Sequence, residues 1–399
     1  MSRAVRQRFS LAFAAASAIL AAAAPLAAAP CGTLPSPVYV SGSAQLLPLI
    51  RALSTALAAS ASPITVVFQA TDSCTAASAF ASTQSPLLTG SGQIWDYTGT
   101  QGSCELGTGF ASDVGISDLF PATCGKTLAD NVSEQSGPVL ALAFVVPKAS
   151  QATSISRGAA YMVFGFGAQS SPFISPWNDP SKILHLAPTS ATQLMLGLGI
   201  GVPAARWLPS SNVLTSTSAM VAALASASDN ANSTVGILST DAADKQRALL
   251  KDLAYQDPDQ TCAYWPDSSV AGYDKQNVRD GHYPLWGRSH FFFRSSDSGS
   301  PLSANVAVVL NLISGKSSTG ALNVVQLETA SGLIPDCAMR VTRSAEMAPL
   351  ESYMPESSCA CYFTAVSTGA APVSCSACAA DADCAGSTPS CRFGYCEIK

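Results

Sequence analysis

Residues that usually carry chemistry are scarce in this chain. His185, His282 and His290 are the only histidines among 399 residues, and just 12% of the residues are charged. Neither an H-E-x-x-H pair nor a G-x-S-x-G elbow occurs, so zinc-hydrolase and serine-hydrolase chemistry have no signal, and no cofactor or metal motif takes their place. An enzyme is not expected. His185, close to Ser190, is the one candidate base, and packing or hydrogen bonding at a strand end accounts for it as well. Beyond the first 30 residues no apolar run approaches the ~20 residues that a spanning helix needs. Repeats and low-complexity tracts are also absent outside that opening segment.

What is present begins with MSRAVRQRFSLAFAAASAILAAAAPLAAAPC, which sets three arginines before a long apolar run and then small residues. That is the layout of a secretory signal, so residues 1–29 are expected to be removed and the chain exported, to a periplasmic, cell-surface or extracellular location. Pro30 is a poor residue just after a cut, which leaves an earlier cut in the alanine run as an alternative; it also spoils the pattern that would make Cys31 a lipid anchor. Without Arg3, Arg6 and Arg8, 18 basic residues face 26 acidic ones, a balance of about −8. Such a surface argues against nucleic acid or an anionic membrane as partner. A small anion is still allowed, because local dipoles can outweigh a distant net charge.

Thirteen cysteines in an exported chain should mostly form disulfides, with one thiol left free or paired to another chain. Six lie in the body (Cys31, Cys74, Cys104, Cys124, Cys262, Cys337) and seven crowd the end (Cys359, Cys361, Cys375, Cys378, Cys384, Cys391, Cys396). Cys375-Ser-Ala-Cys378 has the spacing of a redox motif and the tail cysteines could ligate zinc, but cysteines on both sides favour structural cross-links. A segment with so little apolar surface needs them.

From residue 38 the pattern is α/β. VYV precedes a helical stretch from Ala44 to about Ala59, ITVVFQ follows, and a short helix begins near Cys74. Alternation of this kind predicts a parallel sheet with helices on its faces. Gly90 to Gly109 reads as a long loop pinned by Cys104 to Cys74 or Cys124. VGIS (114–117) and VLALAFVV (139–146) are continuous apolar strands, the second long enough to cross between domains. A second unit holds helices near 159–164, 216–226 and 241–253, and a strand at 289–293 with a helix at 303–313 rejoins the first. Asp274, Lys275, Arg279 and Asp280 read as a surface ion-pair set. The expected organisation is a leader (1–29), domain I (30–140 with 289–350), domain II (141–288) and a Cys-rich module (351–399) in which regular periodicity stops.

Four loops share one design, a strand end followed by small or hydroxyl residues: SGSAQ (41–45), TDSCT (71–75), GISD (115–118) and PTSAT (188–192). Three open a helix, whose unpaired N–H groups and partial positive charge attract anions without any lysine. Ser, Thr and Asp are also ordinary N-caps, so each loop alone has a plain structural explanation. Four of them at strand ends in one α/β chain point to a ligand edge.

These loops resemble those of the type 2 periplasmic solute-binding proteins, in particular the phosphate-binding components of ABC importers. SGSAQLLPLI looks like the first phosphate loop, DSCT the second and DVGISD the third; SPWNDP precedes TSATQLM, which resembles the fourth. VRDGHYPLW is similar to the segment where the chain returns to the first domain. The resemblance spans residues 38–340 and implies two hinged α/β domains, a small oxyanion, phosphate first, between them, and an ABC permease or an envelope component as partner. Ser43, Ser73, Thr75, Asp118, Ser190 and Thr192 match its ligand-contacting positions. Asp118 would accept a hydrogen from protonated phosphate; otherwise it caps a local turn. Departures are clear: Leu186 stands where the resemblance implies arginine, Ala44 and Gln45 replace hydroxyl positions, and Ala191 replaces glycine. Loss of a bidentate arginine from a dry site removes about 1.5–3 kcal/mol, or about 10- to 150-fold in affinity. The competing expectation is a surface interaction protein that has kept the fold, lost the anion site and acts through its tail.

Overall fold

The computed structural model describes residues 28–84, 86–168, 174–316 and 322–398. The expected leader lies outside them except for its last two residues.

One sheet runs through the molecule. Its strands are β1 (Pro37–Ser43), β2 (Thr65–Thr71), β3 (Leu87–Trp95), β4 (Gln101–Ala111), β5 (Val114–Ser117) and β6 (Val132–Pro147). Short strands β7 (Ser154–Ser156), β8 (His185–Leu186) and β9 (Val213–Leu214) follow, then β10 (Gly236–Ser239), β11 (Leu250–Asp252), β12 (Ala254–Gln256) and β13 (Trp286–Arg294). The order is β10-β6-β13-β5-β1-β2-β3-β4, with β11 also paired to β6. β1 lies parallel to both β2 and β5, whereas β13 runs antiparallel to β5 and β6.

Helices cover this sheet: α1 (Leu47–Ala58), α2 (Ser73–Phe80), α3 (Arg157–Phe166), α4 (Ala191–Ile200), α5 (Thr217–Ala225), α6 (Thr240–Asp244), α7 (Gln276–Arg279), α8 (Ala304–Ile313), α9 (Val324–Ala330) and α10 (Ala360–Thr368). In α1 the residues Leu49, Ile50, Leu53 and Leu57 form one buried stripe, the 3.6-residue period of a helix with one face on a core. Ile50, Leu53 and Leu57 face Val40, Val66 and Ile116 of the sheet and Val309 and Leu312 of α8. β6 is apolar and buried from Pro138 to Pro147, and β13 is buried from Trp286 to Phe293 although it carries Arg288, Ser289 and His290. β6 pairs with β13 over its first part and with β10 and β11 over its last.

Three local expectations are corrected. Residues 87–111 form a β-hairpin rather than a loop: glycine and serine hide an inward set of Leu88, Gly92, Trp95, Cys104 and Leu106. Cys104 pairs with Cys31, while Cys74 and Cys124 pair with each other. The sulfur of Cys31 is thereby unavailable for a lipid, and Pro30 bridges to Glu105 along the outer side of β4. The helix predicted for 241–253 stops at Asp244, because Leu250–Asp252 is drawn out to pair with β6. Nor is the charge cluster a surface set. Lys275 is buried, with its ammonium 2.7 Å from Asp244 and 2.9 Å from Asp267, and Arg247 joins the same acids.

Arg279 is buried as well and fastens the C-terminal module. Its guanidinium donates to the carbonyl of Ala338 at 3.0 Å and to Thr364 Oγ1 of α10 at 2.9 Å, with Phe363 beneath it. Burial lowers its pKa to about 10. Periodicity therefore resumes after residue 350. The first turn of α10 is held by Glu397, which accepts from the Cys361 N–H at 2.7 Å and from the Ser358 hydroxyl at 3.0 Å. Tyr362 and Phe393 stack at 4.8 Å. Disulfides Cys337–Cys359, Cys361–Cys375, Cys378–Cys391 and Cys384–Cys396 complete the module, so the Cys375/Cys378 spacing is not a redox pair. The sulfurs of Cys378, Cys384 and Cys396 cluster, but each is already spent in a disulfide. Cys262 is the thiol left over, and it is exposed.

Gly42 positions the end of β1. It has φ +138°, and a Cβ there would stand 2.1 Å from the Ile116 carbonyl oxygen. Alanine would meet backbone strain and a backbone clash together, so Gly42→Ala is expected to cost roughly 2–4 kcal/mol. Urea unfolding of the variant checks this; an unchanged midpoint would refute the close-approach argument.

Candidate functional site: the crevice at the ends of β1 and β5

β1 stands between β2, reached through α1, and β5, which arrives later in the chain. The crossovers thus diverge at the β1–β5 boundary, the topological switch point where open α/β sheets hold ligands. All three parallel strands end on the same edge. The residues that follow them, Ser43, Ser73 and Asp118, are consequently brought together.

Hydrogen bonds join the three. The Ser43 hydroxyl donates to Asp118 Oδ2 in a short contact, and Ser73 Oγ accepts from the Asp118 backbone N–H at 3.0 Å. Gln45 N–H donates to Ser43 Oγ at 3.2 Å, closing the turn after β1. All three residues are buried, and Asp118 Oδ1 has no partner among the described residues. Burial pushes the Asp118 carboxyl up to about 6; the Ser43 hydrogen bond, the nearby His290 and then Ser73 oppose that rise, and Asp241 adds to it. A buried carboxyl in this state exchanges its proton close to neutrality.

His290 completes this corner, and sequence reasoning gave it no role. It is fully buried on β13 opposite Ser117, with Nδ1 2.5 Å from Glu134 Oε1 and its ring 4.2 Å from that of Phe120. Its Nε2 has no partner among the described residues. The available signal was one titratable residue heading the apolar run FFF.

The second unit contributes α4. Thr192 is buried in its first turn, and Ser190 is half-buried at the N-cap but accepts no capping hydrogen bond. At α2, α3 and α5 the N-cap residues Asp72, Ser156 and Ser216 do cap. Through Gly287 the helix reaches the first unit: a Cβ on that glycine would stand 2.3 Å from Met195 Sδ and 3.2 Å from the Asp118 carbonyl oxygen. Met195 lies one turn along α4 from Thr192, so the Thr192 face approaches the Asp118 edge. Two further orphans, Ser239 Oγ and Thr240 Oγ1, lie at the start of α6.

The other sequence candidates sit differently. Thr75 is exposed, and its hydroxyl donates to Asp72 at 2.7 Å; the structure does not join it to the Asp118 group. His185 has both ring nitrogens against backbone carbonyls, of Leu186 at 3.1 Å and Pro209 at 2.9 Å. It is a hydrogen-bonding residue at a strand end. Leu186 is buried in the core. A second feature that sequence did not signal is Glu346, which accepts from the Phe120 N–H at 2.6 Å and from the Thr123 hydroxyl. Its neighbour Met347 packs beside Gly199 of α4, so this segment touches both sides of the crevice.

No sequence family matches the chain, and no curated protein does. Solved structures do match. A putative phosphate ABC transporter substrate-binding protein with bound phosphate from Clostridium perfringens superposes with a TM-score of 0.50 at 12% identity, covering 75% of this chain and 99% of that one. A possible phosphate-binding protein from Planctomyces limnophilus DSM 3776 gives 0.47 at 13% identity, covering 76% and 94%. An ABC-type phosphate transport receptor from Vibrio cholerae gives 0.47 at 15%, covering 74% and 99%. At such identities the shared property is the fold: two α/β units of the type 2 periplasmic binding protein architecture.

The raised carboxyl has a thermodynamic consequence. Between the unfolded value near 3.8 and the folded value of about 6, the native state holds the extra proton, so Asp118 makes the fold less stable as pH rises through that window and contributes no further change above it. The difference is on the order of 3 kcal/mol. Asp118→Asn removes it, so the stability of the variant relative to the parent should rise by about that amount between pH 4 and pH 7. Denaturant unfolding of both proteins across this range checks the sign; parallel curves would overturn the assignment.

Proposed function

We propose that the mature chain is an exported solute-binding protein that captures a small oxyanion, phosphate first, between its two α/β units for ABC-type uptake or sensing. The observation that carries this is the Ser43–Asp118–Ser73 group at the switch point, with one carboxyl oxygen and the uncapped start of α4 still able to bond. The Clostridium perfringens protein of the same fold holds phosphate. Ser73, Ser190 and Thr192 supply uncharged donors, together with first-turn N–H groups of α4; the Ser43 hydroxyl, which donates to Asp118, joins them only on releasing that carboxylate. Thr75 belongs to the edge of the site only if its turn with Asp72 opens.

Residues 30–140 with 289–350 act as one hinged body and 141–288 as the other, joined through β6 and β13. Ser43, Ser73, Asp118 and Thr192 are buried, so the ligand enters on opening and is enclosed on closure. Asp118 supplies selectivity. Above pH 6 its carboxylate accepts a hydrogen from monohydrogen phosphate, and the same carboxylate repels sulfate, which has none to give. The partner of the loaded form would be an ABC permease or an envelope component.

Calorimetric titration of the mature protein is expected to show phosphate bound more tightly than sulfate at pH 8, with the preference shrinking at pH 5. Ser190→Ala with Thr192→Ala should weaken phosphate by roughly tenfold. Absence of heat with both ions at millimolar concentration would defeat the reading.

One observation favours a second reading, an interaction protein working through its tail. A groove of about 730 Å³ lies between body and module, lined by Arg340, Tyr353, Met354 and Ile398, with Met354 and Ile398 exposed. Met354→Glu separates the two readings: loss of envelope attachment with phosphate binding intact supports a docking role for the groove.

A further inference from the structure

We infer that His290, in its protonated form, supplies the positive charge that this crevice sets against a bound oxyanion; the inference rests on the oxyanion reading above. A cation beside a dry anion site strengthens it, and three of the usual candidates are committed elsewhere. Lys275 is held by Asp244 and Asp267, Arg279 by Ala338 and Thr364, and Arg288 by Asp336. Arg343 donates to the Pro284 carbonyl and lies 3.9 Å over the ring of Trp286, with its Nε left without a partner among the described residues. None of the four bonds to Ser43, Ser73 or Asp118 among the described residues, and Leu186 is apolar.

His290 has the placement those cations lack. It pairs across the sheet with Ser117, the residue before Asp118, and directly opposed residues of an antiparallel pair share a face. Phe292, two residues on, packs against Phe80 of α2 on that face, and α2 begins at Ser73. Glu134 holds Nδ1 at 2.5 Å, which leaves Nε2 on the far side of the ring from that acid. Phe120 covers the ring, and Nε2 is buried without a partner among the described residues. A buried polar atom left in that state is costly unless something meets it.

The groups around the imidazole are acidic. Glu134 faces it from β6 and Asp118 from the end of β5; α2 presents no titratable side chain there, since Cys74 is in a disulfide. Asp241 of α6 acts on Asp118, and Glu346 is bonded to the Phe120 N–H. When protonated, Nε2–H donates to the anion; when neutral, Nε2 turns a lone pair toward it. Affinity that depends on this charge therefore falls as pH rises, in addition to any effect of Asp118. The position stands in for an arginine with a charge that can be withdrawn.

The test is calorimetric titration of the full mature protein with phosphate and with sulfate from pH 5.5 to 8.5, sulfate being an anion that does not itself titrate in this range. His290→Gln should bind at least about tenfold more weakly at pH 5.5 and should lose most of the pH slope. Because His290 is buried, a second variant guards against misfolding. Glu134, whose side chain is 31% exposed, tolerates Glu134→Gln, which should move the loss of sulfate affinity to lower pH. Imidazole NMR adds a readout independent of affinity: the His290 ring should stay protonated to higher pH with saturating phosphate than without. Binding by His290→Gln with the parental pH slope, or an imidazole signal indifferent to phosphate, would overturn the role of His290 and leave the oxyanion reading standing. No binding by the parent at any pH would remove both.

Discussion

A carboxyl group kept out of water is the constraint around which this molecule is arranged. Asp118 sits where three parallel strands end, and its environment must replace the hydration it has lost. Ser43 donates to its carboxylate and Ser73 accepts from its N–H. Those contacts require β1 and β5 to approach closely, which is possible because position 42 has no side chain. One requirement thus links the SGS turn, the start of α2 and the end of β5. It also explains why residues of such different sequence position form one site.

Much of this was legible in the sequence. Apolar runs at 114–117 and 139–146 became buried strands, and the stripe in α1 appeared at its expected spacing. The order of hydroxyl loops led to Ser43, Ser73 and Asp118, which the structure joins directly. The hairpin at 87–111 was hidden because Gly and Ser carry no hydrophobic contrast, so its inward positions show only once Cys31, Tyr39 and Val67 are seen packing behind them. His290 and Glu346 were invisible for another reason. Their significance depends on partners 156 and 226 residues away, and no local pattern encodes a contact at that range. Thr75 shows how local capping competes with a ligand role: it has the expected residue type in the expected turn, and its hydroxyl donates to the N-cap residue Asp72.

The C-terminal module illustrates how a weak core is integrated. It has few buried apolar side chains, but Phe363 is among them, and α10 packs against α9. Arg279 reaches across from the body to the Thr364 hydroxyl and the Ala360 carbonyl of α10, and Glu397 answers at the head of that helix. The tail is therefore continuous with the body through hydrogen bonds as well as sulfur. An arginine buried in this way cannot lose its partners without leaving a charge stranded in a dry interior. The body would be damaged if the tail were torn away.

The Cys31–Cys104 disulfide acts at the opposite end of the sheet. β4 is the last strand in the order, and a terminal strand normally offers a row of unused N–H and C=O groups to any neighbouring chain. Here the cross-link pulls residues 29–31 alongside it, and Glu105 N–H donates to the Ala29 carbonyl at 2.9 Å. The segment works as a selvedge, finishing the cloth where it would otherwise fray or catch on another molecule. A covalent hem that occupies such a border guards against sheet-to-sheet aggregation.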